Sequence, residues 1–293
     1  MANTIALAEK FIPVLDEVYK EASLTAVLDG ASDLVQQGAN ANELIIPKLD
    51  MQGLGDYSRN SGYVSGDVTL TNETVKCNFD RGRMFNVDYM DDLETAGIAF
   101  GRLSGEFIRT KVVPELDAFR LATYAGATGI SKVSTGATLD DGADVIAALR
   151  VAVSEMDEDE VPQTERYLFI TPTLYGMVQD LDTTKSREVL ANFASVIKVP
   201  QTRFYTAIEQ NDGTSSGEEA GGYKKGTGAA DINFMVIHKP AVIQFQKHVA
   251  PKIITPEQNQ TADAYKFGYR NVGIADVYEN KVSGIYLHMK AAG

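Results

Sequence analysis

The stretch DMQGLGDYSRNSGYVSGDVTLTNETVKCNFDRG, residues 50–82, decides how this chain is interpreted. Two alternating runs, 67–71 and 74–80, flank Asn72-Glu73, so the pattern predicts a hairpin that turns at those two residues. Alternation places five apolar side chains on one face of the predicted hairpin: Val68, Leu70, Val75, Cys77 and Phe79. An isolated two-stranded hairpin is only marginally stable in water. We therefore predict that a second subunit covers this face.

The sequence after the hairpin predicts one long helix, from about Tyr89 to Ala125. Its apolar residues recur at intervals of three and four and form a single stripe: Leu93, Ala96, Phe100, Leu103 and Phe107. Pro114 predicts a kink or break, because proline removes a backbone donor and clashes with the preceding turn. Gly126 predicts the end of the helix. A long core helix of a globular enzyme would show the same pattern.

Helices and strands alternate through the rest of the chain, which predicts an α+β fold. Residues 44–49 read as an edge strand, and residues 209–231 as a loop of low order. Further helices are predicted from Asp140 or Asp141 onward and over 173–180. Further strands are predicted over 166–170, 232–237 and 241–245, and as a strand–turn–strand over 265–288.

Composition excludes several classes of function. The net charge of −13, from 40 acidic and 27 basic residues, argues against a surface that grips nucleic acid. An acidic protein can still enclose nucleic acid. No apolar run reaches about 18 residues, so no transmembrane helix is predicted, and residues 1–20 lack the features of a signal peptide. The single cysteine, Cys77, cannot form an internal disulfide.

Motifs for catalysis or for cofactor and metal binding are missing from the sequence. There is no phosphate-binding Gly-Lys-Ser/Thr, and the glycines of residues 53–58 lack the third glycine of a dinucleotide fingerprint. The histidines, His238, His248 and His288, do not have the short paired spacing of metal ligands. We therefore predict no catalytic, cofactor-binding or metal-binding residues, and no enzyme activity.

Two arginines at the base of the hairpin, Arg81 and Arg83, are the basic residues of most interest. They flank Gly82, and such a pair can clamp carboxylates on a neighbouring subunit. Local pairing with Asp80 or Asp88 explains them equally well. The candidate subunit-interface residues are these arginines and four apolar residues of the hairpin: Arg81, Arg83, Val68, Leu70, Val75 and Phe79.

The same segments resemble the major capsid proteins of tailed phages, which have the Hong Kong 97-type capsid fold. Residues 53–59, 62–63 and 66–70 are similar to the extended loop of that family. Three further stretches, 80–85, 87–88 and 91–96, are similar to the start of its long spine helix. The resemblance continues in 113–118, 269–270 and 277–286.

The resemblance implies a division of the chain. Residues 1–43 would be the N-terminal arm and 50–82 the extended loop. Residues 83–138 and 256–290 would form the peripheral domain with the spine helix, and 139–255 the axial domain. We further expect residues 211–230 to form a mobile loop near the axis of a capsomer, because they are rich in glycine and poor in apolar anchors.

The resemblance also implies a function. A major capsid protein assembles into hexamers and pentamers that form the icosahedral head of a tailed bacteriophage around DNA, without sequence-specific binding. We expect it in the virion, and in the host cytoplasm during assembly, with no membrane contact. Because the arm begins almost at Met1, a separate scaffolding protein is expected, together with a portal. Two alternatives stay open: the shell of a cellular nanocompartment of the same fold, and a soluble α+β enzyme.

Overall fold

The computed structural model describes residues 23–30, 36–37, 43–60, 62–90, 98–181 and 184–291. The strands in chain order are β1 (Gln36–Gln37), β2 (Glu43–Met51), β3 (Val68–Lys76), β4 (Phe79–Asp88), β5 (Ser131–Ala137), β6 (Arg166–Ile170), β7 (Ser195–Lys198), β8 (Ile208–Gln210), β9 (Tyr223–Lys225), β10 (Ile232–His238), β11 (Val242–Ile254), β12 (Ala264–Val277) and β13 (Ile285–Lys290). The α-helices are α1 (Ile98–Phe107), α2 (Val113–Ala125), α3 (Gly142–Glu158), α4 (Pro172–Leu181) and α5 (Thr184–Leu190).

The hairpin is built differently from the sequence prediction. Asn72 and Glu73 lie in the middle of β3, opposite Pro47 and Ile46 of β2, so the predicted turn at those residues is wrong. Strand β3 pairs with β2 along its whole length, and residues 52–67 connect the two strands. Since side chains alternate along an uninterrupted strand, Val68 faces the side opposite to Val75. The predicted strand over 44–49 is confirmed within β2.

A second sheet, with the order β11-β12-β4, lies at the base of the hairpin. All its strands are antiparallel, and β12 pairs with β11 over residues 266–277 and with β4 over residues 264–273. Helix α2 and the turn that precedes it pack on this sheet through a cluster of apolar side chains: Phe79, Ile108, Val113, Leu116, Phe267 and Tyr269. This cluster fixes the long helix to the sheet.

The long helix is interrupted close to Pro114, as the sequence predicts. Helix α1 runs into a π-helical turn, Ile108–Val112, and α2 follows it with Pro114 in its first turn. A wider turn before proline accommodates the missing donor. Gly126 donates its backbone N–H to the Ala122 carbonyl at 2.9 Å, which confirms the predicted C-terminus. The predicted helix residues 91–97 lie outside the described residues.

A five-stranded sheet, ordered β5-β13-β10-β6-β7, forms the larger core. Central strand β10 is buried along its entire length, and helices α3, α4 and α5 cover part of one face. Asp141 caps α3 by accepting the Asp144 N–H at 2.9 Å, as the sequence predicts. Residues 209–231 are not a featureless loop, because they hold most of a hairpin formed by β8 and β9.

The five-stranded sheet and the sheet β11-β12-β4 each contain strands from both the predicted peripheral range and the predicted axial range. Strand β13 belongs to the five-stranded sheet, although it lies within the range predicted as peripheral. Strand β11 pairs with β12 in the three-stranded sheet, although it lies entirely within the range predicted as axial. The division into peripheral and axial domains stays a prediction. The sheet order favours assigning β13 to the axial unit and β11 to the peripheral unit.

Candidate assembly interface

The hairpin exposes an unusual number of large apolar side chains. Val68 and Leu70 are 67% and 66% exposed. Other exposed apolar side chains lie nearby in the chain: Met51, Leu54, Tyr57, Tyr63 and Val64. The rings of Tyr57 and Tyr63 contact each other edge to face, with centroids 4.9 Å apart. Large exposed apolar patches are more frequent at interaction sites than elsewhere on protein surfaces.

Val75 and Phe79 differ from Val68 and Leu70, because their own subunit covers them. Val75 is 5% exposed and packs with Ile243 and Ile274. Phe79 is 3% exposed, and its ring centroid lies 5.0 Å from that of Phe119. The sequence predicted that a neighbouring subunit covers these two side chains. Because they are already buried within their own subunit, little of their surface is left for a neighbouring subunit to cover. Cys77 is half-buried beside the Val75 cluster.

Arg81 ties the base of the hairpin to two distant parts of the same chain. Its Nε donates to Glu115 Oε1 of α2 at 2.7 Å. Its Nη2 donates to the backbone carbonyls of Asn211 and Gly222, at 2.7 and 3.3 Å. These two carbonyls lie on the two arms of the β8–β9 hairpin. The local pairing with Asp80 or Asp88 that the sequence left open is not the arrangement found for Arg81.

Arg83 is more exposed than Arg81 and binds backbone carbonyls of the same loop. Its two Nη atoms donate to the carbonyls of Ala220 and Glu219, at 3.1 and 2.9 Å. Between the arginines, a Cβ on Gly82 would lie 2.8 Å from the Tyr269 carbonyl oxygen, so strand pairing here requires glycine. Asp80 instead pairs with Arg270 through two hydrogen bonds of 2.8 and 2.6 Å.

The environment of Glu115 is electrostatically unusual. Its side chain is 12% exposed. Burial raises the pKa of this carboxyl above its ordinary value, and the Arg81 guanidinium opposes the rise. Glu115 lies at the edge of a cleft of about 1060 Å³ between β4, the π-helical turn and the β8–β9 hairpin. Arg81 and Arg83 also line this cleft, and their hydrogen bonds link β4 to the loop between β8 and β9.

The described residues also bear on the metal-site and histidine expectations from the sequence. They contain no group of three or more His, Cys, Asp or Glu side chains that could hold a metal ion. His238 and His288 are buried, and burial lowers the pKa of each. The side chain of His248 lies outside the description. None of the helices described is long and apolar enough to cross a membrane.

Comparison with known proteins shows the fold. No family model and no curated protein matches the sequence. The structure is similar to that of Gordonia phage Cozz, with a TM-score of 0.61 and 11% identity, over 92% of this chain and 87% of that one. It is similar to a structure of Mycobacterium phage Che8, with a TM-score of 0.55 and 15% identity, over 85% of both chains.

A third similar structure is a virus-like particle from Pyrococcus furiosus. Its TM-score is 0.58 at 11% identity, and the match covers 94% of this chain and 95% of that one. These matches span most of the chain, and so the α+β, Hong Kong 97-like capsid fold predicted from the sequence is confirmed. At these identities the similarity defines the fold alone.

Proposed function

We propose that this chain is the major capsid protein of a tailed bacteriophage. The observation that carries the proposal is the exposed apolar surface of the hairpin, on a chain whose fold matches phage structures over most of its length. The similar structures include the capsid of the myovirus XM1, which matches 92% of this chain. Copies of the chain would form hexamers and pentamers that close into an icosahedral head around DNA.

The hairpin supports self-association through a simple energetic argument. Side chains such as Val68 and Leu70 leave water when a neighbouring subunit covers them, and each contributes roughly 1.5–3 kcal/mol before the costs of association. A shell repeats that contribution at every subunit. The net charge of −13 fits a container for DNA better than a protein that grips it.

Several finer features belong to the same proposal. The protein would reside in the virion, and in the host cytoplasm while heads assemble. A scaffolding protein and a portal would take part in assembly. Residues 211–230 would lie near the axis of a capsomer, although the described loop is held by Arg81 and Arg83. The axial position of this loop is supported only by the family resemblance and its glycine content.

A cellular nanocompartment is the second candidate. It is favoured by the similarity to the virus-like particle from Pyrococcus furiosus, which covers a larger share of this chain than the two phage matches named first. Both candidates predict a closed shell. The contents separate them, because a phage head takes up DNA and a nanocompartment takes up a protein cargo.

The first test is sedimentation velocity and electron microscopy of the purified protein. Closed particles of many subunits are expected. A monomer or small dimer at micromolar concentration would contradict the proposal and favour the enzyme alternative. Particles recovered from the natural source should contain DNA in the phage case, and finding protein cargo instead would favour the nanocompartment.

The second test concerns the hairpin surface. We expect the free energy of unfolding of the double variant Val68→Thr/Leu70→Thr to lie within about 0.5 kcal/mol of the wild-type value, because both side chains are exposed. Particle yield should fall strongly. The matched control is Val151→Thr/Val249→Thr, which removes apolar surface that is exposed elsewhere. Normal particles from the hairpin variant would show that this surface is not an assembly interface.

A further inference from the structure

The cleft between β4, the π-helical turn and the β8–β9 hairpin contains a buried amide that has no hydrogen-bond partner. Asn271 of β12 lines this cleft and is 1% exposed. Neither its Oδ1 nor its Nδ2 is paired with any of the described residues. Most buried side-chain amides are paired, because an unpaired one lowers stability. Asn271 therefore indicates that the cleft receives a group that is both a donor and an acceptor.

The lining of the cleft is basic and partly aromatic, although the chain as a whole is acidic. Five lysine or arginine residues line it against three acidic residues, whereas the net charge of the chain is −13. Lys111, in the π-helical turn, is exposed and forms no ion pair with a described residue. The half-buried rings of Phe85 and Phe107 supply an apolar wall, with centroids 4.8 Å apart. This lining suits an occupant that combines carboxylates with apolar side chains.

Residues 1–22, which lie outside the described residues, have that composition. They contain four acidic and two basic side chains, which gives a side-chain charge of −2. Phe11-Ile12-Pro13 is an apolar stretch among the acids. Proline favours an extended conformation of the residue before it, here Ile12. An extended stretch leaves its peptide N–H and C=O free, and these are the two partners that Asn271 lacks.

The structure attaches the end of this segment beside the cleft. Ser23 donates its hydroxyl to Asp117 Oδ1 at 2.9 Å, and Asp117 Oδ2 lies 3.4 Å from Arg203. The preceding residue, Thr202, lines the cleft, and its carbonyl accepts the Tyr223 hydroxyl at 2.8 Å. Twenty-two residues extend up to about 75 Å, so the segment is long enough to reach the cleft. The attachment also gives it a high effective concentration there.

We propose that the cleft binds residues 1–22 of its own chain, with residues 11–13 against the aromatic wall. Asn271 donates to and accepts from peptide groups of that stretch, and Lys111 attracts the neighbouring acidic side chains. The binding takes place within one subunit and does not rest on the proposed function.

Amide hydrogen exchange of the full chain, followed by mass spectrometry, tests the binding. In the wild type, the amides of Phe11 and Ile12 should exchange at least roughly tenfold more slowly than in an unfolded peptide. Asn271→Leu should remove that protection, and Lys111→Glu should weaken it at least roughly threefold. The matched control is Lys185→Glu, which makes the same charge change at an exposed lysine of α5 and should leave the protection unchanged.

Two further measurements locate the segment and check the fold. Exchange at Leu149, which is fully buried in α3, should stay slow in every variant. A photoreactive benzophenone side chain in place of Phe11 should cross-link to residues 103–115 or 220–225, which include much of the cleft lining. Mixing nitrogen-15-labelled with unlabelled chains separates links within a chain from links between chains. Links within a chain are expected.

Three results would overturn the proposal. Exchange of Phe11 and Ile12 in the wild type at the rate of an unfolded peptide would show that the segment is not bound. Protection that persists unchanged in either Asn271→Leu or Lys111→Glu would show that the segment does not bind in this cleft. Cross-links between differently labelled chains would show that the cleft receives the segment of a neighbouring copy.

Discussion

Glu115 and Asp117 lie two residues apart on α2 and bind arginines from different parts of the chain. Glu115 accepts from Arg81 of β4 at 2.7 Å, and Asp117 lies 3.4 Å from Arg203, in the turn that precedes β8. A single turn of helix thus connects the base of the hairpin with the larger core. This relationship makes Arg81 a structural residue of the subunit, and it leads to the first prediction.

Replacing Arg81 by methionine should lower the free energy of unfolding by about 1–3 kcal/mol. The loss arises because Glu115 and two loop carbonyls lose their donor. Arg83→Met should cost less than about 1 kcal/mol, because Arg83 is exposed and binds only carbonyls of a surface loop. Urea unfolding of both variants provides the comparison. Equal losses would contradict the assigned difference.

The contribution of Glu115 to the free energy of unfolding should fall as the pH rises above 4.5. Burial raises the pKa of this carboxyl above 4.5, so the folded protein keeps the proton to a higher pH than the unfolded chain. The decline ends once the pH passes the folded pKa. Glu115→Gln should remove it, and Arg81→Met should extend it to higher pH. Unfolding free energies between about pH 4 and pH 7 measure the slope.

His238 and His288 should make the free energy of unfolding rise with pH, which is opposite to the effect of Glu115. Burial lowers the pKa of His238 and His288 below 6.5, so the unfolded chain binds these protons more readily. Their contribution to stability is complete above pH 6.5 and is lost as the pH falls through the folded pKa values. The double variant His238→Gln/His288→Gln should flatten that acid-side decline. An unchanged slope would show that neither histidine is responsible.

Truncating Phe79 should lower the free energy of unfolding much more than truncating Leu70. Phe79→Ala should cost about 3–5 kcal/mol, because the ring is buried against Phe119 and leaves a cavity. Leu70→Ala should cost much less, because its side chain is 66% exposed. Thermal unfolding of both variants distinguishes the two positions. Similar losses would mean that Leu70 also packs within its own subunit.

Local patterns predicted the α+β class and most of the elements correctly, and the resemblance to a known family predicted the Hong Kong 97-like fold. The cap at Asp141, the interruption near Pro114 and the helix end at Gly126 each follow from the chemistry of one residue. The turn at Asn72-Glu73 was wrong for an equally local reason. Two short alternating runs imitate a hairpin, and nothing in the spacing shows that β2 is the partner.

The roles of the candidate interface residues were harder to predict because they depend on distant contacts. Arg81 binds Glu115 34 residues away and the Asn211 carbonyl 130 residues away. Spacing in the sequence does not reveal such partners. The error in the turn also placed Val75 on the same face as Val68, whereas alternation along a continuous strand separates them.

Strand β12 gives the subunit a mechanical property. Its 14 residues span roughly 45 Å. It supplies Phe267 and Tyr269 to the cluster under α2, Ile274 to the cluster around Val75, and Val277 to the main core. A pulling force along β12 would therefore be carried by its backbone and shared with β11 over residues 266–277 and with β4 over residues 264–273. Under such a force, segments that meet through side-chain contacts alone would separate before these paired strands do.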